Sequence, residues 1–211
     1  MQILIHENGY YVVNTYLIIN EENKECIVLD PGEETDPIIR KMNNDGLKPV
    51  AIVCTHGHID HMEGVLSLKQ RYGIPFYMNK NDWHHVQNVS LQESVAQGLP
   101  AQGVPEPDEN LPEEGKITLA GIEFQLIHAP GHTKGSVALY AHGSLFAGDT
   151  LMSLSIGRTN IAGANEAELI HTIQEKFFQL PDNTMVYPGH GPVTTIQQEK
   201  RLNPFIIQAN M

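Results

Sequence analysis

Apolar and polar positions change period several times along the chain. "MQILIHE", "YVVNTYLIIN" and "KECIVLD" are rich in β-branched and aromatic residues, and polar turns such as "NEENK" separate them, which predicts three strands. "TDPIIRKMNNDG" then carries a Thr or Asp cap, a proline in its first turn and Gly46 as a stop, the marks of a helix. "KPVAIVCTH" reads as a buried strand, "HMEGVLSLKQRYG" as a helix ending at Gly73, and "IPFYMN" as another strand. Residues 81–98 read as helix. From 99 to 115 the chain turns to Pro, Gly and acid, an excursion within one domain, because β-rich runs resume at once. Those runs are "KITLAGIEFQLIHAPG", turning at Ala120-Gly121, and "SVALYAHGSLFAGDTL", turning at His142-Gly143. A helix capped by Asn165 and stopped by Pro181 follows, then a strand, "TMVYPGHG", and a short closing helix, "TIQQEKRLNPF". This order predicts two facing sheets with helices outside, in a single α/β domain over residues 1–211.

Charge narrows the partners. The formal net charge is −12, which argues against nucleic acid, because phosphate binding needs a basic face. Cys26 and Cys54 each sit in an apolar run, so core packing is expected rather than a disulfide. The N-terminal stretch lacks a basic start and a long apolar run, and no segment reaches the roughly 20 apolar residues of a spanning helix. A soluble, cytoplasmic protein with no membrane partner is expected; the oligomeric state is not legible.

Candidate chemistry begins at "VCTHGHIDHMEG". His56, His58, Asp60 and His61 fall within six positions where a buried strand gives way to a helix. In a chain with 11 histidines, this string arises by chance on the order of once in a thousand such sequences. A metal is the natural reading, since zinc takes nitrogen and oxygen donors, and a catalytic ion keeps one position open. Three partners wait at other strand ends: His132 in "APGHTKGS", Asp149 in "FAGDTL" and His190 in "VYPGHGP", each flanked by glycine or proline, which allows a sharp turn. Seven ligands suffice for two ions and are too many for one. His6, His84, His85, His128, His142 and His171 lack such settings and read as structural.

The ordered set T-H-x-H-x-D-H, G-H-T, G-D-T and G-H-G resembles the metallo-β-lactamase superfamily over about residues 10 to 205. The resemblance implies a four-layer αβ/βα sandwich. It also implies that His56, His58 and His132 hold one divalent ion, that Asp60, His61 and His190 hold a second, and that Asp149 bridges them. Zinc is the first expectation, and the donors also accept iron or manganese. Two such ions would activate water and polarise a carbonyl, giving Asp60 and Asp149 their catalytic part.

Finer features resemble the small bacterial glyoxalase II-like enzymes, similar to hydroxyacylglutathione hydrolase. These are "GDTLMSLSIGRTN", "VYPGHGPVTT" and the closing "EKRLNPF". The implied reaction is hydrolysis of an anionic thioester such as S-lactoylglutathione by a metal-bound hydroxide, with Arg158 as a fork for a substrate carboxylate. A surface salt bridge is the other reading of Arg158. Only 21 residues follow His190, fewer than the helical extension with which larger glyoxalase II enzymes hold glutathione, and Asn160 stands where related small proteins often have aspartate. Another ester or lactone is therefore an alternative substrate. The main rival is a persulfide dioxygenase with one iron on His56, His132 and Asp149, which the Gly-His-Gly of residues 189–191 disfavours. A β-lactamase is disfavoured because nothing suggests secretion.

Overall fold

Which face of a sheet each residue takes is decided by the two-residue period. The structure is a computed structural model that describes residues 1–86 and 104–209. In its first sheet β1 (Gln2–Asn8), β2 (Val13–Ile19) and β3 (Glu25–Leu29) run antiparallel, and β4 (Lys48–Val53), β5 (Phe76–Met78) and β6 (Glu109–Asn110) continue in parallel. The second sheet contains β7 (Gly115–Leu119), β8 (Ile122–His128), β9 (Val137–Ala141), β10 (Ser144–Gly148), β13 (Met185–Pro188) and β14 (Thr194–Thr195), in the order β14-β13-β10-β9-β8-β7. A separate hairpin, β11 (Leu151–Met152) and β12 (Ser155–Ile156), follows β10.

Alternate side chains of one strand feed different cores. Tyr16, Ile18, Ile27 and Leu29 point between the sheets, where they meet Phe124, Leu139 and Phe146. Leu17, Ile19, Cys26 and Val28 point outward against Ile38, Ile39 and Met42 of α1 (Asp36–Asp45) and Val65 and Leu68 of α2 (Val65–Tyr72). On the far side, Ala138, Leu145 and Ala147 pack under Leu169 and Ile173 of α4 (Glu166–Glu175). A short α3 (Lys80–Val86) lies between β5 and β6 in the chain. The result is helix, sheet, sheet, helix: the expected four-layer αβ/βα sandwich. Cys26 and Cys54 are both buried and unbridged, as expected. Among the described residues no helix is long and apolar enough to cross a membrane.

Local departures from expectation have local causes. The helix expected from His61 begins only at Val65, and Ile59–His61 forms a 3-10 turn instead. Gly64 is pinned there: its N–H donates to Pro31 O at 2.9 Å, and a Cβ would lie 2.5 Å from Gly32 O. Thr35 occupies the cap position of α1 without capping it, because its hydroxyl pairs with Ser67 Oγ at 3.1 Å. The closing helix breaks into α5 (Ile196–Leu202) and α6 (Pro204–Ala209). Asn203, placed before a proline, is pushed to ψ 115°, out of the helical region. Within the Pro-rich excursion, β6 joins the first sheet beside β5, a pairing the sequence pattern does not reveal. Of the helix expected over 81–98, residues 87–98 lie outside the described residues. The turns at Ala120-Gly121 and His142-Gly143 are as expected, with φ positive at all four positions.

Asn165 caps α4 by accepting from Glu168 N at 3.2 Å. Its replacement by alanine should cost about 1 kcal/mol, measured as a lower urea midpoint at unchanged slope. An unchanged midpoint would show that the cap is idle.

Candidate metal centre

The predicted ligands come from the ends of strands in both sheets and meet at one rim. His56 and His58 follow β4, Asp60 and His61 lie on the 3-10 turn, His132 lies between β8 and β9, Asp149 follows β10, and His190 follows β13. They form two groups, His56–His58–His132–Asp149 and Asp60–His61–His190, whose donor atoms in each case lie within 4.8 Å of one another. No other histidine joins such a group among the described residues; the side chains of His84 and His85 lie outside them.

Nearly every ring is turned by a fixed neighbour. His56 Nδ1 lies 3.0 Å from Thr55 Oγ1, a hydroxyl that itself donates to Asp30 Oδ2 at 2.8 Å. His132 Nδ1 donates to the Arg158 carbonyl at 3.0 Å, and His190 Nδ1 to the Tyr11 carbonyl at 3.0 Å. Asp30 Oδ2 is 3.1 Å from His61 Nδ1. With those nitrogens carrying the hydrogen, the opposite Nε2 atoms present lone pairs to the centre. Such outer partners fix the tautomer and orientation of a metal-binding histidine.

The inner distances test the fit. His58 Nδ1 lies 3.0 Å from His56 Nε2 and 2.9 Å from His132 Nε2, and His61 Nε2 lies 3.3 Å from His190 Nε2. One proton on His58 could serve only one of its two contacts, so lone pairs face lone pairs. Donors sharing one ion at about 2.1 Å are spaced by roughly 3–3.4 Å. Asp149 reaches both groups: Oδ1 is 3.4 Å from His61 Nε2, and Oδ2 is 3.5 Å from His132 Nε2 and 3.6 Å from His190 Nε2. Its Oδ1 is buried without a hydrogen-bond partner among the described residues. A buried acceptor facing converging imidazole nitrogens suits a pair of cations, and the residues present fit a dinuclear metal site.

Charge states agree with that. Burial and its imidazole neighbours His61 and His58 hold His56 well below its ordinary value, and burial with His132 brings His58 to about 3, so both rings stay neutral. Burial would raise Asp149, but His61, His56 and His132 outweigh it and keep the carboxyl ionised. Burial would likewise discharge His61, yet Asp149, Asp60 and Asp30 push it well above its usual range.

Glycine has a part that its turn-forming reputation hides. A Cβ at Gly189 would overlap Asp149 Oδ1 and sit 2.6 Å from His61 Cε1, and one at Gly157 would overlap Asp149 O and lie 2.8 Å from His132. Neither residue has positive φ, so the requirement is space for the ligands, not a turn. Positive φ is needed at Gly131, Gly148 and Gly191, as flanking glycines were expected to allow. Sequence reading missed Asp30, Thr55 and Asp82. Only Asp30 carried a signal, a buried acid at a strand end in "LDPG". Arg158 is exposed, and none of the ion pairs among the described residues includes it.

Comparison with known proteins follows the same outline. A profile of the metallo-beta-lactamase superfamily matches residues 8–190. The chain is 32% identical over 201 residues to the probable metallo-hydrolase YqgX of Bacillus subtilis, with 94% of each chain covered. It is 35% identical over 193 residues to the hydroxyacylglutathione hydrolase GloC of Haemophilus influenzae, covering 90% of this chain and 91% of that one. Among solved structures, BLEG-1 B3 metallo-beta-lactamase superposes with TM-score 0.91 at 34% identity, covering 97% of this chain and 99% of that one. TTHA1623 in a di-iron-bound form gives 0.86 at 34%, covering 96% and 99%. ETHE1 from Myxococcus xanthus gives 0.80 at 25%, covering 97% and 84%.

Elemental analysis of the purified protein should find about two metal ions per chain, by the ligand count. Gly189→Ala should lower that number while circular dichroism stays unchanged, because the added carbon displaces Asp149 and His61. Full metal content in this variant would refute the space argument.

Proposed function

The chain belongs to the metallo-beta-lactamase superfamily, and from that premise we propose that it is a dinuclear metal-dependent hydrolase of anionic thioesters such as S-lactoylglutathione. One observation carries this reading: the Asp60–His61–His190 group is complete, oriented and joined to the first group through Asp149. A mononuclear dioxygenase on His56, His132 and Asp149 would leave that second group without a use.

Two divalent ions held here, zinc by first choice, would make water a nucleophile at neutral pH and withdraw charge from a carbonyl. The chain's own residues arrange the rest. Asp60 and His190 are the more open members, with 16% and 24% of their side chains exposed against 0% for His61 and 1% for His132. Substrate therefore approaches over the second group. Asp149 keeps both carboxylate oxygens between the groups, and Asp60 Oδ2 lies 3.2 Å from His190 Nε2, the spacing of two donors to one ion. A thiolate leaves without help from a strong acid, which suits a centre whose carboxylates all stay ionised.

Arg158 joins binding to this frame. Its carbonyl fixes His132 while its side chain is exposed, so the guanidinium can reach a substrate carboxylate without disturbing the ring. The relation to GloC supports glutathione as the carrier, and the absence of an ion-pair partner for Arg158 among the described residues favours this part over a structural salt bridge. A cytoplasmic setting belongs to the same proposal.

Arg158→Ala should raise KM for S-lactoylglutathione about ten- to a hundredfold, the worth of a charge-assisted contact of roughly 1.5–3 kcal/mol. kcat should change little, because the contact is common to ground and transition states. A small neutral thioester should be hydrolysed equally by both proteins. Equal KM for both substrates would return Arg158 to the surface. Oxygen uptake on glutathione persulfide with one iron per chain would replace the hydrolase reading, and faster turnover of a β-lactam would replace the substrate class.

A further inference from the structure

The four donors of the first group come from both halves of the sandwich, His56 and His58 from the first sheet and His132 and Asp149 from the second, so something must hold the loops together. Asp82, on α3, is completely buried and lies between them. Its Oδ2 accepts from Gly57 N at 2.8 Å and from Thr133 Oγ1 at 2.6 Å, and its Oδ1 accepts from Gly135 N at 2.5 Å. Gly57 separates His56 from His58, and Thr133 follows His132. Ser136 Oγ, 2.5 Å from Thr133 Oγ1, completes the chain of donors. The approach is close enough that a Cβ on Gly135 would sit 2.6 Å from Asp82 N.

We propose that Asp82 is a positioning residue, a buried clasp that sets the spacing of His56 and His58 against His132 and so tunes the first metal position alone. Anionic oxygens make stronger hydrogen bonds than neutral ones, and here they tie a loop of the first sheet to a loop of the second. The second group is oriented by other means: Asp30 lies beside His61, and the Tyr11 carbonyl holds His190. The inference rests on the metal reading of the site and is independent of the substrate.

Zinc binding to the metal-free protein, by competition with a chelating dye, tests it in two backgrounds. His190→Ala keeps the first group, and His58→Ala keeps the second. In the His190→Ala chain, Asp82→Asn should weaken zinc binding by about ten- to a hundredfold, the usual effect of losing an outer partner. In the His58→Ala chain the same change should alter affinity by less than about threefold, well short of that range. Should Asp82→Asn fail to fold, Thr133→Val removes one clasp bond with little change of shape and should act in the same direction, with Thr133→Ser restoring affinity. Equal weakening in both backgrounds would overturn the assignment. So would unchanged affinity in the His190→Ala chain accompanied only by a lower Tm of the metal-free protein. Thioester turnover is not read in this experiment, so failure of the substrate proposal leaves it intact.

Discussion

Asp149 is a largely buried carboxylate with the imidazoles of His61, His132 and His190 within 3.6 Å, and the architecture can be read as the means of keeping it there. Burying an ionised carboxylate without compensation costs far more than a domain's net stability. Its position is imposed by the second sheet: β10 is flanked by β9 and β13, and Gly189 N donates to Gly148 O at 2.8 Å, closing the two ligand loops against each other. The histidines that compensate its charge are brought by neighbouring strand ends. A cation bound here would share that energetic burden, coupling metal binding to folding.

The same requirement explains which small residues are fixed in place. Gly189 and Gly157 stand where any side chain would enter the space of a ligand, and Gly64 stands where the ligand-bearing turn meets the Pro31–Gly32 loop. These are constraints of packing density around a polar centre. Gly189 and Gly157 act through ligand geometry, because the atoms an added carbon would meet belong to Asp149, His61 and His132.

Much of this was legible in the sequence because it is local. The strands, their two type I′-like turns and the Asn165 cap depend on residues a few positions apart. The ligands were legible because His56, His58, His132, Asp149 and His190 each sit next to glycine after a strand, and Asp60 and His61 belong to the same short string as the first two. What escaped notice depends on distance in the chain. Asp30 and Thr55 meet across 25 positions, and Asp82 and Thr133 across 51. Asp82 has no sequence signal that separates a buried carboxylate from a surface one. The Ile59–His61 turn escaped because its apolar spacing continues that of α2, and only contact with the Pro31–Gly32 loop interrupts the helix. Two-residue strands such as β6 and β14 are too short to carry a period at all.

The way the rings are held also separates metal binding from specificity. His132 and His190 are oriented by main-chain carbonyls, those of Arg158 and Tyr11, with Val12 O a further 3.3 Å contact to His190. A carbonyl is present whatever the side chain, so residues 11, 12 and 158 can be exchanged without loss of the orienting bond, provided the backbone path is kept. Val12, beside His190, and Arg158, beside His132, are both exposed, and Val12 holds φ at 56°, a path that does restrict its replacements. His56 and His61 are held instead through Thr55 and Asp30, whose side chains are buried and cannot be exchanged so cheaply. One frame can thus keep its metals fixed on the buried side while the substrate-facing side chains change. That division gives a physical reason why relatives of similar fold, a hydroxyacylglutathione hydrolase and a metallo-beta-lactamase among them, carry different activities on the same outline.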